Sequence, residues 1–199
     1  MSSRMGRHMS LYGVLKLETS LQNDSPSQNP TTEAPTSTAA TPLQWVLLFG
    51  VAALTIITDQ LTKWIVVQSL DYGETWVPIP ALKSIFDITY TRNTGAAFGM
   101  AQEFGNIFLL IAVVVVGAIV FYYRKLPTGS WLVRLTLGLQ MGGALGNALD
   151  RITRGYVVDF FHVHGYPIFN VADSSIVVGV VVLVALLWWE DRKIAKKEI

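Results

Sequence analysis

The sequence predicts an all-α membrane protein, with four transmembrane helices and a small β-sheet on the outer membrane surface. Three observations support this. Of the 199 residues, 51% are hydrophobic and only 15% are charged, against roughly 25% charge in average soluble domains, and the mean hydropathy is +0.42. Four apolar stretches are long enough, or nearly so, to cross a bilayer, which takes about 20 residues for roughly 30 Å of hydrocarbon. Between the first two, Phe86, Ile88 and Tyr90 alternate with Asp87, Thr89 and Thr91, the period of a strand with one greasy face. The net charge of +1 gives no basis for a nucleic-acid partner. The chain has no cysteine, so disulfides, thiolate nucleophiles and Cys-based metal sites are excluded.

Residues 1–42 are expected to form a disordered tail. From Ser20 to Pro42 the chain is rich in Ser, Thr, Pro, Asn and Gln, too poor in apolar surface to offset its ordering entropy. No apolar run follows Arg4, Arg7 and Lys16, so a cleavable secretory signal is not expected. The working domain is 43–191, with spans at about 43–67, 105–123, 131–150 and 173–189 and the sheet region at about 71–104. Asp59 and Lys63 interrupt the first span; the second is apolar from Ile107 to Tyr123 apart from tyrosine hydroxyls. The third contains Arg134 and Gln140, and the last must reach back through Ser174 to Asp173 to be long enough. Gly73, Pro78, Pro80 and Gly95 mark turns in the long outer loop. Residues 192–199 form a basic tail.

Lys and Arg placement sets the orientation. Arg124, Lys125 and Arg134 surround the second connection, and Arg192, Lys193, Lys196 and Lys197 follow the last span, so both termini are expected inside. Asp59, Lys63, Arg92-Asn93-Thr94-Gly95, Asn147, Asp150, Arg151, Asp159, Asn170 and Asp173 then collect at the outer face, as a site at the membrane surface requires.

Asp159 lies in Val157-Val158-Asp159-Phe160-Phe161 and Asp173 in Phe169-Asn170-Val171-Ala172-Asp173. Carboxylates at the lip of a span are costly and are functional by default. Two close together cannot easily both ionise and share one proton. The ionised one can take a proton from water as it attacks a carbonyl, while the protonated one donates to the oxygen that becomes negative. Taken alone, Asp173 is equally well explained as the N-cap of the fourth helix; Asp159 and the converging neighbours favour catalysis. Asp59 and Lys63, four apart with the acid first, read as a structural ion pair. Gly138, Gly142 and Gly146 form a small-residue stripe for close helix packing. It turns Asn147 to the bundle interior, where its amide can reach an aspartate, the substrate backbone or a neighbouring helix. His162 and His164 lie two apart and could face one side of a strand, but no third ligand is placed beside them, so no metal and no cofactor are expected.

Five blocks carry a resemblance: Asp59-Gln60-Leu61-Thr62-Lys63, Asn93-Thr94-Gly95-Ala96-Ala97-Phe98, Gly142-Gly143-Ala144-Leu145-Gly146-Asn147 with Asp150-Arg151, Val157-Val158-Asp159-Phe160, and Phe169-Asn170-Val171-Ala172-Asp173. In this order, spread from Leu43 to Trp189, they resemble bacterial lipoprotein signal peptidase, or signal peptidase II. The resemblance implies a four-helix aspartyl endopeptidase of the bacterial inner membrane, with a small extracytoplasmic β-sheet cradle and the active site at that face. It implies cleavage of prolipoproteins before a diacylglyceryl-modified cysteine, by Asp159 and Asp173 with one water. Asn93, Gly95, Asn147, Arg151 and Asn170 match positions that orient the aspartates or contact substrate. The implied partners are diacylglyceryl-modified prolipoproteins and membrane lipid, and a monomer is expected. Three rivals are a four-span scaffold, a proton-coupled transporter and a His-dependent metal hydrolase. The transporter fits poorly, since these carboxylates lie at one edge and no inverted repeat is evident.

Overall fold

The computed structural model describes residues 40–95, 101–126 and 131–196. Residues 1–39 of the expected disordered tail lie outside the described residues, as do Ala96, Ala97 and Phe98, whereas Pro42, also expected in the tail, already belongs to the first helix. The described elements are α1 (Pro42–Ser69), β1 (Thr75–Trp76), a 3-10 turn (Pro80–Leu82), β2 (Phe86–Asn93), α2 (Ala101–Tyr123), α3 (Trp131–Arg154), β3 (Val157–Val163) and α4 (Val171–Ala195). Four long helices thus carry a small sheet. Of these, α1 and the Val171–Lys193 part of α4 are long and apolar enough to cross a membrane, and Ile107–Tyr123 of α2 is a shorter apolar helix.

Local chemistry sets the ends. Pro42 occupies the first turn of α1, where its missing N–H costs nothing, and Gln44 Oε1 accepts the Thr41 N–H at 2.8 Å. The fourth helix begins at Val171, two residues before the expected start, and α3 runs on to Arg154 rather than ending near 150. The region expected to hold the sheet, 71–104, is also corrected, in its C-terminal end and in the source of one strand. Residues from Ala101 are helical, and the third strand comes from 157–163.

The sheet is antiparallel in the order β1-β2-β3. Asp87 pairs with His162 and Ile88 with Phe161, but Thr91 pairs with Asp159. Three steps on β2 thus match two on β3, the extra residue of a β-bulge. The bulge re-aims the end of β2, so that Asn93 comes to Asp159. The sheet rests on the C-terminal end of α1, where Val66 packs with Tyr90, Val158 and Phe160. The greasy face expected of β2 is only partly realised. Tyr90 is buried, Phe86 and Ile88 are half-buried, and Asp87 is buried because two imidazoles cover it.

Helix α3 packs on all three other helices. Its glycines permit this. A Cβ on Gly138 would stand 2.8 Å from Val51 Cβ, and one on Gly142 would stand 2.6 Å from Thr55 Cβ, so the expected stripe faces α1. Gly143 instead lets the backbone of α4 approach. A Cβ there would collide with the Ala172 carbonyl oxygen and stand 2.7 Å from Ile176 Cγ1. Gly143→Ala is therefore expected to destabilise the protein by about 1–3 kcal/mol. Gly117→Ala, whose Cβ meets nothing within 4 Å, should be neutral or stabilising by up to about 1 kcal/mol. Thermal unfolding in detergent distinguishes the two; equal melting temperatures would contradict the close approach of α3 and α4.

Candidate active site

Asp159 projects from β3 and is 2% exposed. Asp173 lies in the first turn of α4 and is half-buried. It is not the N-cap that the sequence allowed. Asn170 precedes the helix, and its Oδ1 accepts the Asp173 N–H at 2.9 Å. Asp173 Oδ2 in turn accepts the Asn170 N–H at 3.3 Å. This reciprocal pair is a capping box, with Asp173 at its third helical position. Capping and site-building are thus done by the same atoms.

Three asparagines surround the aspartates, and each is held in one amide orientation. Asn170 Oδ1 is taken by the Asp173 N–H, so its Nδ2 is the donor to Asp159 Oδ1 at 2.6 Å. Asn147 Oδ1 accepts from Lys63 Nζ at 2.9 Å and from Asn170 Nδ2 at 3.1 Å, so its Nδ2 donates to Asp173 Oδ1 at 2.7 Å. Asn93 Oδ1 accepts the Gly95 N–H at 2.9 Å, leaving Nδ2 to donate to Asp159 Oδ2 at 2.9 Å. Gly95 closes that turn at φ 83°, a conformation open to glycine at little cost. The network joins Asp159 to Asp173 through Asn170 and Asn147.

A second layer lies beneath. Lys63, fully buried, bonds Asp59 Oδ2 at 2.8 Å, Asp150 Oδ2 at 3.0 Å and Asn147 Oδ1, so all three of its protons are used. Asp59 Oδ1 also accepts the Ala172 N–H at 2.9 Å, an anion at the N-terminus of α4. Gln60 Nε2 bridges Asp59 and Asp150, and Asp150 also receives the Val158 N–H at 3.1 Å. The expected ion pair is therefore the centre of a buried network tying α1, α3, β3 and α4 together. Arg151 Nη1 donates to the Asn147 carbonyl at 3.3 Å, and its guanidinium lies 4.8 Å from the Phe108 ring. Its buried Nε has no hydrogen-bond partner among the described residues.

Burial raises Asp159 to a pKa of about 6, and the Asp173 charge adds to this, against hydrogen bonds from Asn93 and Asn170. An acid poised there beside a second carboxylate suits the sharing of one proton.

The profile for Signal peptidase (SPase) II matches residues 51–189. The chain belongs to the signal peptidase II family. It is 42% identical over 157 residues to the lipoprotein signal peptidase of Bacillus subtilis (strain 168), covering 77% of this chain and all of that one. Similar proteins of the same name are found in Halothermothrix orenii, 40% identical over 73% of this chain and 98% of that one, and in Geobacillus kaustophilus, 46% identical over 68% and 88%. A solved structure described as a bacterial membrane enzyme, determined in meso at 2.3 Å, matches with a TM-score of 0.65 at 32% identity, over 72% of this chain and 88% of that one. As a signal peptidase II, the protein is an aspartic-type peptidase of the membrane.

Of the residues expected in the signal peptidase II site, Asn93, Gly95, Asn147, Asn170, Asp159 and Asp173 form one hydrogen-bonded cluster, and Arg151 touches it through Asn147. Sequence reasoning gave no role to Gln60 or to Asp150. Both sit in the matching blocks, and Asp150 precedes Arg151 near the C-terminal end of α3, which was the available signal. Arg92, under the rings of Tyr72, Tyr90 and Tyr156 at 5.1–5.6 Å, was also missed. Only Tyr90, two residues before it and accepting its Nε–H at 3.0 Å, is local; Tyr72 and Tyr156 come from distant parts of the chain.

Proposed function

We propose that this peptidase removes signal peptides from prolipoproteins at the outer face of the bacterial inner membrane. It cleaves before the diacylglyceryl-modified cysteine, using Asp159, Asp173 and one water. The observation that carries the reading is the orientation of three asparagine amides so that each presents N–H to one of two aspartates. Asp159, protonated, donates to the scissile carbonyl oxygen; Asp173, ionised, takes a proton from the attacking water. The tetrahedral intermediate collapses as the C–N bond breaks. Asp173 then returns its proton to the departing amine, and Asp159 recovers its own. Arg151, bonded to the Asn147 carbonyl through Nη1, places a cationic guanidinium beside the aspartate cluster.

All four helices span the membrane in this reading, with both termini inside and the sheet as an extracytoplasmic cradle. Exposed apolar side chains on three of the helices support it, such as Leu54 and Ile57 on α1, Val113 and Val114 on α2, and Val181 and Val184 on α4. An apolar cavity of about 510 Å³ between α1 and the sheet, lined by Ile65, Leu70, Trp76, Ile88 and Phe161, is suited to acyl chains of the modified cysteine. A cavity of similar size beside Leu43, Val46 and Trp131 lies at the other end of α1, far from the aspartates.

The test is cleavage of a diacylglyceryl-cysteine peptide as a function of pH. The expected product carries the modified cysteine at its N-terminus, and the unmodified peptide stays intact. Because protonated Asp159 is the acid, kcat/KM should fall as pH rises through an apparent pKa near 6 that belongs to the pair. Asn93→Ala removes a donor that favours the carboxylate, so this limb should move to higher pH, by about one pH unit. Movement to lower pH, or cleavage of the unmodified peptide at an equal rate, would contradict the proposal.

A further inference from the structure

We propose that Asp87, His162 and His164 form a binding site for one divalent zinc-like metal ion, which clamps β2 to β3 away from the aspartate pair. One oxygen or ring nitrogen from each residue can be chosen so that all three donors lie within 4.8 Å of one another. Asp87 Oδ1 is 3.0 Å from His162 Nδ1, and Asp87 Oδ2 is 2.7 Å from His164 Nε2, with the two rings 4.6 Å apart. The third ligand that the His-x-His segment lacks locally is supplied by strand pairing, since Asp87 stands opposite His162 in the ladder.

The geometry is supported by its surroundings. Thr89 Oγ1 donates to Asp87 Oδ1 at 2.6 Å and is itself bonded to Thr75 Oγ1 at 2.8 Å, which fixes the carboxylate from behind as outer partners fix metal ligands. The backbone N–H of His164 donates to the Ile85 carbonyl at 2.9 Å, which fixes the stretch of main chain that carries the second imidazole. Asp87 is buried, while the His162 and His164 side chains are 31% and 40% exposed, so the ion has a path in. Two imidazoles and one carboxylate suit zinc, copper or nickel far better than calcium or magnesium, which prefer all-oxygen sites. Three protein ligands leave a fourth position for water. On binding, the metal replaces the Asp87–imidazole hydrogen bonds, and each neutral ring keeps its proton on the other nitrogen. The site begins three residues along β3 from Asp159, about 10 Å of strand, and shares no ligand with the peptidase cluster.

The experiment uses full-length protein in detergent, without a polyhistidine tag, stripped with chelator and titrated with Co²⁺ and then Zn²⁺. One equivalent of Co²⁺ should give the visible absorption of a four- or five-coordinate ion, displaced by one equivalent of Zn²⁺. Loss of an outer partner alone typically costs about 10–100-fold in affinity, so His162→Ala and Asp87→Asn should each weaken binding at least about 100-fold. Zn²⁺ should raise the melting temperature of the wild type and leave that of His162→Ala unchanged. Asp159→Asn should bind as the wild type does. Absence of stoichiometric binding, binding retained in both ligand variants, or binding lost in Asp159→Asn would each overturn the proposal.

Discussion

Lys63→Met should lower stability by about 3–5 kcal/mol, the usual cost of removing one partner from a buried charge cluster, and should abolish cleavage. Lys63 is fully buried and is bonded to two buried carboxylates, Asp59 and Asp150. Without it, Asp150 keeps only the part-exposed Arg154 at 3.3 Å as a cationic partner, and Asp59 keeps none among the described residues. The Asn147 amide also loses the contact that sets its orientation, so its donor to Asp173 is no longer fixed. Thermal unfolding in detergent measures the first effect. Lys63→Met combined with Asp150→Asn should recover part of the loss, because the two sites share one interaction. A loss of under about 1 kcal/mol, the range of an exposed pair, would show that the network does not hold the bundle together.

The sequence made some of this legible and hid the rest for identifiable reasons. Asp59 and Lys63 lie four apart on one helix, so their pairing follows from helical period alone. Asp150 joins them from 87 residues away, through a contact made only when α3 packs on α1. The start of α4 was written in Asn170-Val171-Ala172-Asp173, a polar residue followed three later by an acid, which is a capping-box spacing. Counting back only as far as the span length required set the helix start at Asp173, two residues late. The alternation in 86–91 correctly announced a strand. It could not reveal that Asp87 would be buried as well as Tyr90, because that depends on the histidines of a strand some 75 residues later. The bulge between Ile88 and Thr91 had no sequence marker either, yet it delivers Asn93 to Asp159. The five motif blocks contain every residue of the hydrogen-bonded cluster around Asp159 and Asp173. What they left out was the polarity of its amides, which is set by long-range partners such as Lys63.

The second large effect concerns the aspartates themselves. Asp159→Asn leaves a side chain that cannot serve as the acid, and Asp173→Asn leaves one that cannot accept the proton of water. Both substitutions keep the shape of the side chain, and each asparagine oxygen can still accept from one of the neighbouring amides. The protein should therefore remain folded. Removal of one member of a catalytic unit commonly costs at least about 10⁴-fold in kcat, and a similar loss is expected from each variant. The proposed dyad predicts that the double variant is no worse than either single one.

The decisive measurement is cleavage of a diacylglyceryl-cysteine peptide by the wild type, Asp159→Asn and Asp173→Asn, each shown to have a melting temperature within a few degrees of the wild type. The proposed chemistry predicts product from the wild type alone, with both variants at least about 10⁴-fold slower. Cleavage within tenfold of wild type by either folded variant would contradict the dyad.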